Sequence, residues 1–355
     1  MAEVCLALAM IGLTAYAVLG GADLGAGFWD LTAGGAHRGG RVRGLIQRSM
    51  SPVWEANHVW LIFVLVVLWT AFPVFFGSVM STLYVPLFGA ALGIIFRGVA
   101  FAVRGQAATI AEARVVGAVF ALSSVIVPFC MGAAIGGIAA GEVPEGNALG
   151  PPLDSWLNPT SILVGVLAVA TGAYVSAVYL AADAVRADLP DLVEAFRRRA
   201  LGAGLVAGAL AIGGLFVVRA EARDLFDGLT SGGGLVAVLA SAAFGIVTMG
   251  LVWTRRMAPA RWTAAGAVAC VVLGWAFAQS PDLLPGSLTL DEAAADDATL
   301  AALLIAVGAG LLVLVPSLVL LYRLVLRGTL DQRFEPLDQR YRPITAGDHP
   351  QEPRP

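Results

Sequence analysis

Lysine is absent from this chain of 355 residues, histidine and cysteine occur three times each, and charged residues make up only 13%. Each shortage excludes something. Cys5, Cys130 and Cys270 stand far apart within apolar stretches, so they offer neither a disulfide framework nor metal-ligand spacing, and no metal site is expected. Of the three histidines, His37 falls in a connection and His349 in the polar end of the chain, which leaves His58 alone in a long apolar stretch. No glycine-rich phosphate loop, nucleophile elbow or convincing internal repeat is present, and no nucleic-acid partner is expected. A chain 58% hydrophobic with a mean hydropathy of +0.82 is no soluble domain; it is a polytopic membrane protein.

What is there is a series of long, continuous apolar runs. A bilayer crossing takes ~20 such residues. The runs predict an all-α protein with about nine transmembrane helices, near 4–30, 53–76, 78–102, 115–140, 160–183, 200–219, 233–254, 261–279 and 299–326. Their continuity, without alternation, excludes a membrane β-barrel. Residues 1–330 read as a single transmembrane domain, and 331–355 as a polar, proline-containing tail expected to be disordered. Glu3 and the lack of a basic leading segment argue against a cleaved signal peptide.

With every basic residue an arginine, arginine alone sets the orientation. The connection after the first helix holds Arg38, Arg41, Arg43 and Arg48 without an acid. Alternate connections continue the pattern with Arg104 and Arg114, then Arg186 and Arg197 to Arg199, then Arg255, Arg256 and Arg261. The intervening loops hold only Arg219 and Arg223, and two of them are acidic. The N-terminus is therefore expected outside and the C-terminus in the cytoplasm.

Against this apolar background a few charges stand out. The second helix opens Ser51-Pro52-Val53-Trp54-Glu55-Ala56-Asn57-His58, and Glu55 and His58, three apart, share a face. The first helix carries Asp23 among Gly20, Gly21, Gly25 and Gly27; Gly21 and Gly25 form a small-xxx-small pair that lets another helix approach closely. Arg97 ends a long apolar approach in the third helix. With the first and third helices running inward and the second outward, Asp23, Glu55, His58 and Arg97 all fall in the cytoplasmic half of the membrane. Ionisable groups there are costly and usually serve ion or proton paths. The blander reading has Glu55 at the headgroup boundary, His58 as packing, Asp23 capping a kinked helix end and Arg97 snorkelling.

The stretches Gly21-Ala22-Asp23-Leu24-Gly25, Pro52-Val53-Trp54-Glu55-Ala56-Asn57-His58-Val59-Trp60-Leu61-Ile62 and Phe96-Arg97-Gly98-Val99-Ala100-Phe101 resemble subunit II of cytochrome bd-type quinol oxidases. Pro128-Phe129 and Ser287-Leu288-Thr289 look similar too, and the resemblance runs from about Leu13 to Arg327. It implies two four-helix bundles plus a peripheral helix, in a multi-pass subunit of the bacterial inner membrane. It also implies a heterodimer in which subunit I carries the b-type and d-type haems and the quinol site, and reduces dioxygen to water. Subunit II holds no haem in that family, although a structural quinone is associated with its interior in some members, and a small accessory subunit occurs. The positions of Asp23, Glu55 and Arg97 belong there to a proton route at the subunit interface, with His58 a relay or a structural residue. Glu55 departs from members that carry Asp. The residues agree on one point independently: haem iron takes axial His, Met, Cys or Tyr side chains, and one membrane histidine does not support three haems. Two other readings stand beside this one. A proton-coupled transporter would show inverted repeats and interrupted helices, and neither is evident. A scaffold subunit of a quinol-dependent reductase with another acceptor would keep its membrane acids for structure alone.

Overall fold

Inside a bilayer the backbone has no water to bond with, so long apolar runs close their hydrogen bonds within helices. The computed structural model describes residues 1–50, 53–104 and 109–327. Among these, nine helices are long and apolar enough to cross a membrane, as the runs predicted. The first span joins α1 (Ala2–Ala15) to α2 (Gly21–Leu31) through a single π-helical turn, Tyr16–Gly20. The other spans are α4 (Trp54–Ala71), α6 (Tyr84–Val103), α7 (Ile110–Ala139), α8 (Pro159–Arg186), α9 (Pro190–Glu221), α11 (Gly232–Trp253), α12 (Met257–Gln279) and α14 (Asp297–Leu326).

Several boundaries differ from the hydropathy reading, each for a local reason. The expected second helix, 53–76, stops at Ala71, because Phe72 precedes a proline and leaves the helical region; Pro73 then opens a separate short helix, α5 (Pro73–Thr82). Pro190 starts α9 ten residues before the apolar run that betrays it. Residues 36–50, expected as a connection, form α3 (Ala36–Met50), which buries Val42, Leu45, Ile46 and Met50 on one side while its arginines break the hydropathy signal. The 331–355 tail, Ser51 and Pro52 lie outside the described residues.

The first span, α4, α6 and α7 form one bundle, and α8, α9, α11 and α12 a second; α14 leans on α4 and α1 from outside. The bundles meet where α2 crosses α8. A Cβ on Gly25 would overlap the carbonyl of Gly172, and the Trp29 indole donates to the Ala173 carbonyl at 2.8 Å. Of the predicted small-residue pair, Gly25 makes the close approach, while a Cβ on Gly21 would meet open space. A similar contact seats Gly132 and Gly136 of α7 against Gly165 and Ser161 of α8. At the face opposite the arginine-rich connections, a hairpin of β1 (Asp282–Leu284) and β2 (Leu288–Thr289) leads into a turn of helix, α13 (Leu290–Ala293). Its Leu283, Leu284 and Leu288 pack with Cys5, Val67 and Phe72 and cover the end of the first bundle.

Candidate functional site

On α2, Asp23, Gly27 and Asp30 are spaced by about one and two turns, so they line one face. That face meets α6 and α7. Gly27 has no side chain because Ser124 of α7 occupies the space a Cβ would take. Arg97 of α6 and Arg104, which caps the C-terminus of α6, are also seven residues apart, and α6 runs parallel to α2. The result is two ion pairs stacked along the bundle axis. Arg97 Nη1 lies 2.8 Å from Asp23 Oδ2, with both side chains 2% exposed. Arg104 Nη2 lies 2.6 Å from Asp30 Oδ2 near the arginine-rich face, and Arg43 Nε of α3 reaches Asp30 Oδ1 at 2.7 Å. Phe120 of α7 separates the two pairs, with the Arg97 and Arg104 guanidiniums 4.9 and 5.2 Å from its ring centre.

Arg97 is held on every side. Its Nε donates to Ser124 Oγ at 2.9 Å, its Nη2 to the Asp23 carbonyl at 3.1 Å, and Ser124 in turn donates to the Phe120 carbonyl at 2.6 Å. Snorkelling is thereby overturned, since the side chain runs into the bundle. Asp23 is less well satisfied. Its contact with Arg97 is a close approach of charges without hydrogen-bond alignment, and neither carboxylate oxygen accepts a hydrogen bond from a described residue. Desolvating two charges costs several kcal/mol per ion, and good pairing recovers it only when the remaining lone pairs are met.

The π-turn lies just beyond Asp23. There Asn57 of α4 donates from Nδ2 to the Leu19 carbonyl at 3.3 Å and accepts from the Tyr322 hydroxyl of α14 at 3.2 Å. This contact sets the first turns of α4 level with the turn. Trp54 packs on Phe101 at 5.1 Å, and His58 lies edge-on to Tyr16 at 6.2 Å and to Trp54 at 6.4 Å. His58 Nδ1 is 2.8 Å from the Trp54 carbonyl. Glu55 lies in the first turn of α4, where the helix dipole favours a carboxylate, but its side chain is exposed. Among the described residues it shows no hydrogen bond or ion pair.

Of the four predicted site residues, the structure therefore joins Asp23 to Arg97, seats His58 nearby and leaves Glu55 on the outer face of the bundle. Sequence reading missed Tyr16, Tyr322 and Asp30 with its two arginines. The seven-residue spacings on both helices were the available signal for Asp30 and Arg104; for the tyrosines, isolated in apolar runs, only the fold brings them in.

Two bundles of spanning helices, one with charge pairs locked inside it, define a multi-pass membrane protein that keeps ionisable groups at the depth of its spans. The chain belongs to the cytochrome bd terminal oxidase subunit II family, whose model matches residues 1–325. It is similar to the cytochrome bd ubiquinol oxidase subunit 2 of Bacillus subtilis (strain 168), 29% identical over 35% of this chain and 37% of that one. It is similar also to the cytochrome bd-I ubiquinol oxidase subunit 2 of Escherichia coli (strain K12), 28% identical over 44% and 42%. In these alignments the chain spans less than half the length of either curated relative. In three dimensions it resembles a chain of the bd oxidase from Geobacillus thermodenitrificans, with a TM-score of 0.71 and 25% identity over 92% of this chain and 98% of that one.

Proposed function

We propose that this chain is the non-haem subunit of a bd-type respiratory quinol oxidase, and that its first bundle passes protons from the cytoplasm towards the oxygen-reducing centre of a haem-bearing partner, subunit I. Quinol oxidation and reduction of dioxygen to water would then both take place on the partner. The donor set here does not suit haem: His58 is the one membrane histidine, and its Nδ1 is already turned to the Trp54 carbonyl. The b-type and d-type haems accordingly belong to the partner, and no step on this chain runs through them.

The observation that carries the proton reading is the buried Asp23–Arg97 pair, in which neither carboxylate oxygen accepts an aligned hydrogen bond from a described residue. A scaffold would gain by satisfying or removing such a group. The arginine-rich face supports a cytoplasmic entry. Glu55, exposed on α4, suits the point where protons leave this chain for the partner.

Glu55→Gln keeps size and hydrogen bonding but cannot titrate. In the assembled complex it is expected to leave haem content intact and to lower quinol-dependent oxygen uptake by about tenfold or more, while Glu55→Asp keeps most of the activity. Oxygen uptake and haem spectra on the same preparations decide the matter. Full activity in Glu55→Gln with intact haems would remove the carboxylate from the route.

A further inference from the structure

The two carboxylates of the proposed route do not meet. Asp23 faces α6 and α7, Glu55 faces outward, and the space between their helices is occupied by Tyr16 and His58. Tyr16 opens the π-turn, and its ring lies across Gly20, where a Cβ would come within 2.8 Å of it. Turns of this kind recur at functional sites. The residue is 5% exposed, and its hydroxyl has no hydrogen-bond partner among the described residues. A buried hydroxyl left in that state is costly unless it serves a purpose. Asp23 follows seven residues on in the same span, where it pairs with Arg97, and His58 packs edge-on against the Tyr16 ring. The contact between His58 Nδ1 and a carbonyl fixes the chemistry of the imidazole. A carbonyl only accepts, so Nδ1 carries the proton and Nε2 is the basic nitrogen.

We propose that Tyr16 is a proton-transfer residue linking Asp23 to His58. When the side chains turn into hydrogen-bond reach, protonated Asp23 gives its proton to the phenol oxygen as the phenol gives its own to His58 Nε2. One O–H bond forms and one breaks at Tyr16, the phenol is regenerated uncharged, Asp23 returns to the carboxylate that faces Arg97, and the imidazole becomes an imidazolium. From His58 the proton has three residues of one helical face to travel to Glu55. The inference rests on the proton-route reading above and adds to it the group that bridges the two helices.

The test is Tyr16→Phe in the intact complex, beside Glu55→Gln. Because the hydroxyl makes no hydrogen bond, its loss should leave thermal stability and haem content at wild-type values. Quinol-dependent oxygen uptake should fall about fivefold or more, with a larger slowing in heavy water than wild type shows. If Glu55→Gln slows turnover and Tyr16→Phe does not, the route survives and the Tyr16 link is overturned. If neither variant slows it, both fall. A slower Tyr16→Phe enzyme with lowered stability and an unchanged heavy-water effect places the residue in packing, and also overturns the link.

Discussion

The two four-helix bundles share a membrane but handle charge in opposite ways. In the first, Asp23 and Arg97 sit 2% exposed at the heart of the bundle, and Asp30 lies clamped between Arg43 and Arg104. In the second, the ion pairs stay at the arginine-rich rim: Asp183 with Arg186 and Arg261, and Glu194 with Arg197, Arg198 and Arg255. Deeper in that bundle the polar contacts are neutral. Thr248 donates to Thr263 at 2.7 Å, and Ser241 to the Ala267 carbonyl at 2.9 Å. The surroundings account for part of the difference. Half of the most apolar stretch of α7 and of α8 is buried in protein, against 11% for α9 and 17% for α11, so a charge halfway along either of the latter would leave the protein interior. Among the described residues, ion pairs at depth occur in the first bundle, where neighbouring helices shield them.

If that contrast holds, removing one partner of an ion pair should cost less as the pair moves from the first bundle's core to the surface. Arg97→Ala leaves Asp23 buried and uncompensated, and is expected to destabilise the protein by about 3–5 kcal/mol and to lower turnover. A thermal midpoint within error of wild type would break the comparison at its strongest point. Asp183→Asn, in a pair whose side chains are 14% and 18% exposed, should cost about 1–3 kcal/mol, the range for hydrogen bonds to charged groups. Asp191→Asn removes the pair with Arg41 at the surface, 54% and 47% exposed, and should shift stability by at most about 1 kcal/mol, less in high salt. Denaturation of the three variants under one set of conditions gives the gradient; equal losses at Asp183 and Arg97 would show that depth is not what matters.

Much of the architecture was legible before any coordinates. The nine apolar runs, the close approach at Gly25 and the proximity of Asp23 to Arg97 follow from length, residue size and the direction of successive helices. The amphipathic α3 was not legible, because its four arginines lower the hydropathy over the same residues that bury Leu45 and Ile46. Arg43, Arg104 and Arg261 were read only as charges of the connections that set the orientation, yet each is committed to a carboxylate. Hydropathy registers how much charge a segment holds and not which way it points. Tyr16 escaped for a related reason. A straight helix would have turned it differently toward the residues after Gly20, and nothing in Tyr-Ala-Val-Leu-Gly announces a π-turn.

The equal spacing of the paired residues on α2 and α6 has a mechanical consequence. Each helix offers a charge every seven residues, about 10 Å apart along its axis, and the two helices run the same way. Sliding one past the other by a single turn would break both contacts at once and bring neither carboxylate to a new guanidinium. Rotating either helix would swing both charges toward apolar neighbours. The two ion pairs thus fix the register of the first and third spans, and Phe120 and Ser124 tie α7 to the same charges. Among the described residues α4 has no ion pair to these spans. It is held at this level by the Asn57 amide on the Leu19 carbonyl and by the rings of Trp54 and His58, contacts that a small tilt can release and remake.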